Sequence, residues 1–253
     1  MSLICLLDPT KGMGAMKARI HLEILPQPDE ITCGPTCLHA VYNFYGEDIS
    51  LEEVIREVRT LEGGGTLAVF LACHALRRGY HARIYTYNLH VFDPVWFVAG
   101  APDIRERLIA QMEAKAEPKL HTATRGYLEF LKLGGELRFE DLTTRLIRKY
   151  LKRSIPILTG LSSTYLYRSP REYGEEGEED DVKGEPAGHF VLLCGYDREE
   201  RQVLIADPFL PNPVSDTQYY VVSIDRVLCA ILLGILTHDA NFLILTPKKG
   251  PRG

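Results

Sequence analysis

No apolar run in this chain is long enough to cross a bilayer. The longest, Val227 to Leu236, falls short of the about 20 residues a transmembrane helix needs and reads instead as a buried helix. Long basic runs and stripes of mixed basic and aromatic residues are also lacking, and the formal charge is −5, so no nucleic acid partner is expected. The amino terminus carries no secretory pattern: its apolar stretch, Leu3 to Leu7, is broken by Asp8-Pro9, and no small-residue cleavage site precedes Lys11. No internal repeat is present. Gly63-Gly64-Gly65-Thr66 lacks the lysine of a phosphate-binding loop and reads as a turn. No cofactor is implied. A metal is not expected either, because Cys33, Cys37 and His39 have no second Cys/His pair at zinc-site spacing.

What is present describes a globular chain that needs no covalent staple. A fold of 253 residues buries roughly 70–75% of the surface of its unfolded chain. The six cysteines, Cys5, Cys33, Cys37, Cys73, Cys194 and Cys229, are scattered, several within apolar runs, which predicts reduced thiols and a cytoplasmic location. Residues 1–15 read as an irregular extension, followed by a single domain over 16–248 that opens with a strand over Lys17–Leu25. The first half then reads as mainly helical. One helix runs from Pro35 to Tyr45 and stops at Gly46; a second, capped by Ser50 with Glu53 completing a capping box, runs through Val58; a third runs from a Thr66 cap to Arg78. Ile84–Tyr87 reads as a short strand, and a helical insertion over about 90–152 holds helices at Ile104–Lys115, Ala123–Leu133 and Phe139–Lys152. Strand patterns rich in β-branched and aromatic residues follow at Ile155–Leu161, Phe190–Gly195, Val203–Ala206, Tyr219–Ile224 and Phe242–Thr246. Helices first and strands later imply an α+β fold. Between them, 169–188 is an acidic, Gly- and Pro-punctuated segment with nothing to build a core, expected as a solvated loop.

One short stretch carries the chemistry. In Gln27-Pro-Asp-Glu-Ile-Thr-Cys33-Gly34-Pro35-Thr36-Cys37, Pro35 suits a first helical position, which puts Gly34 at the cap and Cys33 at the positive end of the helix dipole. A thiol there ionises more readily, whereas Cys37, one turn on, is expected to pack inward. A nucleophilic thiol needs a base, and one histidine has a telling setting: His189 opens the apolar strand that ends at Asp197, and the next strand ends in Asp207-Pro208. If Asp197–Arg201 is the hairpin turn, pairing brings His189 and Asp207 within a residue or two of each other. That is the arrangement a Cys-His-Asp site requires, an imidazole that assists thiolate formation and a third group that orients it. The competing reading of Cys33 alone is a small buried residue at a turn, and of Asp207-Pro208 alone an ordinary turn.

These residues resemble the papain-like C39 cysteine peptidases and their C39-like relatives. The resemblance rests on the 27–37 stretch, on Ile155-Pro-Ile-Leu-Thr-Gly160, on Gly188-His189-Phe-Val-Leu-Leu and on Ala206-Asp207-Pro208, in that order; residues 80–152 lie outside it. It implies a papain-like fold with an N-terminal helical lobe packed on an antiparallel β-sheet lobe. It implies Cys33 as nucleophile, Gln27 as oxyanion donor, His189 as base and acid, Asp207 as orienter, and a peptide or protein substrate cleaved through an acyl-enzyme. The chain has neither a membrane span nor a nucleotide-binding loop, so the stand-alone form is expected rather than the transporter-fused one. The alternatives are a non-catalytic peptide-binding module of the same fold, or an acyl or peptidyl transferase using the same thiol.

Overall fold

The computed structural model describes residues 18–174 and 177–248. The expected extension at 1–15 lies outside the described residues. In chain order the elements are β1 (Ala18–Arg19), α1 (Cys33–Phe44), α2 (Leu51–Glu57), α3 (Ala68–Arg77), β2 (Tyr80–Thr86), α4 (Ile104–Ala114), α5 (Pro118–Lys132), β3 (Glu136–Arg138) and α6 (Thr144–Leu151). They continue with β4 (Ile157–Ser162), α7 (Ser163–Tyr167), β5 (Glu172–Tyr173), β6 (Glu178–Glu179), β7 (Gly188–Asp197), β8 (Gln202–Ala206), β9 (Tyr219–Ser223), α8 (Ile224–Leu233) and β10 (Asn241–Pro247). Eight strands form one sheet in the order β3-β2-β10-β4-β7-β8-β9, with β1 added beside β7. All pairings are antiparallel except β2 with β3. Helices pack on this sheet around one apolar core, so the expected α+β architecture is the observed one. Among the described residues no helix is long and apolar enough to cross a membrane.

Several local expectations needed correction. The opening strand is short: ladder pairing covers only β1, and beyond it the backbone of Leu22 and Ile24 is tied to the Tyr219 hydroxyl at 2.6 and 3.3 Å. Its alternation nevertheless survives, since Ile20, Leu22 and Ile24 are all buried. Helix α1 starts at Cys33, two residues earlier than Pro35, with Thr32 and not Gly34 as the cap. Pro35 still fits, because the first-turn N–H groups have no intrahelical acceptor to lose. Ser50 caps α2 through the Glu53 N–H at 3.1 Å, as expected. Thr66 does not cap α3; Leu67 is at that position, and the Thr66 hydroxyl donates to the Arg59 carbonyl instead. Thr143 caps α6, so that helix begins at Thr144 rather than at Phe139. The acidic segment is exposed but not shapeless: β5 and β6 form a hairpin, anchored by reciprocal backbone bonds between Glu172 and Glu185.

Candidate active site

The four singled-out residues come from three places in the fold. Cys33 opens α1, His189 lies near the start of β7, Asp207 follows β8, and Gln27 lies in the chain leading into α1. Two contacts set the end of α1 against β7. The Cys37 thiol donates to the Phe190 carbonyl at 3.3 Å, so Cys37 does pack inward. At Gly34 an added Cβ would lie 2.6 Å from Thr66 Cγ2 and 3.2 Å from Phe190 Cδ2, so only glycine allows the first turn of α1 to come this close.

Pairing of β7 with β8 decides whether His189 and Asp207 can meet. Near the turn the register is Asp197 opposite Gln202 and Gly195 opposite Leu204. Extended without interruption, that register would set Asp207 opposite Leu192, three residues from His189 and on the other face of the strand. A β-bulge at Cys194 adds one residue to β7, after which Leu193 faces Ile205 and Leu192 faces Ala206. Asp207 then falls opposite Val191, two residues from His189 and on its face. The turn is one residue shorter than the sequence suggests, and the bulge makes up the difference. The bulge is held on both sides: the Cys194 carbonyl accepts from the Ile20 N–H at 2.7 Å, and its thiol donates to the Leu204 carbonyl at 3.6 Å.

His189 Nε2 lies 2.8 Å from Asp207 Oδ1, and the Cys33 side chain is close enough to act on the same imidazole, whose Nδ1 is not engaged by Asp207. Asp207 is fully buried. Its Oδ1 also accepts from the Phe209 N–H at 2.9 Å, while Oδ2 accepts from the hydroxyls of Tyr167 at 2.8 Å and Tyr220 at 2.6 Å. Burial alone would raise the Asp207 pKa, but the His189 charge and these hydrogen bonds hold it below the usual carboxylate value. Burial would likewise lower the His189 pKa, yet the negative charges of Asp207 and Cys33 and their hydrogen bonds raise it to about 10. Burial and the Asp207 charge push the Tyr167 and Tyr220 hydroxyls well above their ordinary range, so both remain donors. The arrangement can therefore hold a doubly protonated imidazole beside Cys33 at neutral pH.

The two tyrosines escaped the sequence reading. Tyr220 was within reach of it: on β9 it faces Ile205, which shares a strand face with Asp207. Tyr167 sits in a short helix after β4 that carries no such signal. Gln27 is near the site, its backbone N–H donating to the Pro208 carbonyl at 2.8 Å. One of its two Nε2 hydrogens is committed to the Asp29 carbonyl at 2.8 Å, and its buried Oε1 has no hydrogen-bond partner among the described residues. The Thr32 cap makes no side-chain capping bond, so it does not cover the first-turn amides of α1, the Cys33 N–H among them.

A sequence model described as the Peptidase_C39 like family matches residues 19–223. No curated protein matches the chain. Among solved structures, Xylellain, a cysteine protease from Xylella fastidiosa, aligns over 94% of this chain and 88% of its own, with 15% identity and a TM-score of 0.47. A putative C39-like peptidase from Bacillus anthracis aligns over 92% of this chain and 100% of its own, with 13% identity and a TM-score of 0.43. The peptidase domain of Streptococcus ComA, a bi-functional ABC transporter, covers 90% of this chain and aligns over 100% of its own, with 16% identity and a TM-score of 0.42.

Proposed function

Because the chain belongs to the Peptidase_C39 like family, we propose that it is a cysteine peptidase in which Cys33 is the nucleophile, His189 the base and acid, Asp207 the orienter and Gln27 an oxyanion donor. The observation that carries this reading is the position of His189, which pairs with Asp207 through Nε2 at 2.8 Å and whose ionisation is influenced by the Cys33 side chain at the first turn of α1.

The reaction follows from those positions. Cys33 Sγ, as thiolate, forms a bond to the carbonyl carbon of the peptide, and the carbonyl π electrons move to oxygen. The resulting oxyanion is stabilised by the Cys33 backbone N–H and by the Nε2 hydrogen of Gln27 not used on Asp29. Collapse breaks the C–N bond as His189 gives its Nδ1 proton to the departing amine, leaving a thioester. Water then attacks the thioester, His189 taking its proton, and the Cys33 thiolate and imidazolium are restored. Asp207 keeps Nε2 protonated throughout and favours the imidazolium; Tyr167, Tyr220 and the Phe209 N–H keep the carboxylate itself in place.

The test is an unbiased peptide library incubated with the wild type and with Cys33→Ala, the products read by mass spectrometry. Cleavage by the wild type that is abolished in Cys33→Ala is the expected result. A folded wild type that binds peptides and cleaves none would make the protein a binding module, and products extended by an added amine would make it a transferase.

A further inference from the structure

At the other end of β7 from His189, roughly 20 Å along the strand, a cavity of about 540 Å³ opens between β1, the end of α6 and the turn after β7. Its volume falls within the about 300–1,000 Å³ of pockets that hold whole small molecules. Arg19, Arg148, Lys152 and Arg198 line it, beside the buried Leu151 and Tyr196. We propose that it is a binding site for a small phosphate monoester, whose charge these cations neutralise. It shares no lining residue with the catalytic centre, so the peptidase reading is not needed for it.

Three observations carry this assignment. First, the positive charge is uncompensated. No ion pair joins any of the four cations to a carboxylate among the described residues. Two carboxylates also line the cavity, but Asp197 Oδ1 is taken by the N–H groups of Glu199 and Glu200 at 2.8 and 3.0 Å, and Glu199 has a partner of its own. Four cations against two carboxylates leave a net charge of +2. That matches the about −1.5 to −2 of a phosphate monoester at neutral pH and exceeds what a single carboxylate would neutralise. The dipole of α6 accounts for basic residues at its end, Arg148 and Lys152. It does not account for Arg19 from β1 and Arg198 from the turn, which converge on the same cavity.

Second, Arg148 is held in place with its donors unspent. Its guanidinium lies over the Tyr196 ring, 5.3 Å from the centroid, and its buried Nε has no hydrogen-bond partner among the described residues. A stacked guanidinium presents a fixed planar fork, the geometry that fits phosphate oxygens. Third, Tyr196 is only 7% exposed and lines the cavity, yet no hydrogen bond engages its hydroxyl among the described residues. A buried phenol usually finds a partner, and a phosphate oxygen would supply the acceptor. A bare phosphate ion would leave most of the 540 Å³ empty, so an organic body belongs with it, against Leu151.

The test is calorimetric titration of the full-length protein with three phosphate monoesters, AMP, glucose 6-phosphate and phosphoserine, against adenosine, glucose and serine as their phosphate-free counterparts. At least one ester should bind saturably, its counterpart about tenfold or more weakly, and the affinity should fall as salt rises. Arg148→Gln should weaken that ester about tenfold, and so should Lys152→Gln/Arg198→Gln, whose positions are exposed and leave the fold undisturbed. Urea unfolding confirms that each variant is folded, and the exposed pair decides the matter if Arg148→Gln is not. Alkylating Cys33 with iodoacetamide should leave the affinity unchanged. Binding of none of the three esters, equal binding of the phosphate-free counterparts, or an affinity that the exposed double substitution leaves intact overturns the proposal. So does binding abolished by alkylation of Cys33, which would place the anion at the catalytic imidazolium.

Discussion

Replacing Asp207 separates its charge from its hydrogen bonds. The buried carboxylate accepts four bonds, two on each oxygen, from His189 Nε2, the Phe209 N–H and the hydroxyls of Tyr167 and Tyr220. In Asp207→Asn the amide oxygen can take the Oδ1 position and keep the first two. The new NH₂ then faces two phenol hydroxyls, and these can rotate from donor to acceptor. The loss is then the charge and the shared acceptor of the two hydroxyl hydrogens, while His189 Nε2 and the Phe209 N–H keep theirs. In Asp207→Ala, His189 Nε2, the Phe209 N–H and two tyrosine hydroxyls lose their acceptor together. At about 1–3 kcal/mol for each buried group left unsatisfied, the cost is on the order of 4 kcal/mol or more, of which relaxation or an entering water recovers part. Asp207→Asn should therefore be the more stable protein in urea and retain more kcat/KM than Asp207→Ala. Its alkaline limb should shift below that of the wild type, since the imidazolium has lost a negative neighbour. The assays are urea unfolding and kcat/KM against pH on a cleaved library peptide. If Asn proves as damaging as Ala at every pH while both variants fold, His189 is not held by Asp207 in the way described.

Other predictions follow from the same geometry. Cys33 should react with iodoacetamide near neutral pH well before Cys37, Cys73 and Cys194, whose thiols burial pushes up, the last two to about 12; mass-spectrometric mapping in which one of those leads would displace Cys33 from its role. Gln27→Ala should lower kcat by about 10²–10³ with little change in KM, and an effect confined to KM would make it a substrate contact. Gly34→Ala should cost about 1–3 kcal/mol in urea unfolding, because its Cβ would crowd Thr66 and Phe190; unchanged stability would show that the α1 start does not depend on that close approach. His189 has its pKa raised from 6.5 to about 10, so the stability it contributes is complete below about pH 6.5 and is lost as pH rises through about 10. The alkaline limb of kcat/KM should fall in the same region, and a limb near 6.5 would refute the thiolate–imidazolium pair.

The strand framework of the site was legible because hydrophobic periodicity and turn residues act locally. The runs 155–161, 190–195 and 203–206 lie within β4, β7 and β8, apart from the first two residues of the first. His189 and Asp207 were placed together for nearly the right reason. A five-residue turn gives the same register at the site as the observed shorter turn with a bulge at Cys194, and a bulge leaves little trace in sequence because it is stabilised by non-local bonds, here from Ile20 and to Leu204. The start of α1 was missed by two residues, since Pro35 is compatible with any position of the first turn. Tyr167 and the folded-over acidic hairpin were not legible, because composition marked 169–188 as unable to build a core and is silent on what a surface hairpin covers.

The central claim is that Cys33 forms a thioester with the substrate. The direct measurement is acid-quenched peptide mapping by mass spectrometry during turnover of a cleaved library peptide. The mass of the acyl fragment should appear on the peptide containing Cys33, vanish on hydroxylamine treatment as thioesters do, and be missing from Cys33→Ala. Continued cleavage by Cys33→Ala, or an acyl adduct mapped to another residue, would contradict the account.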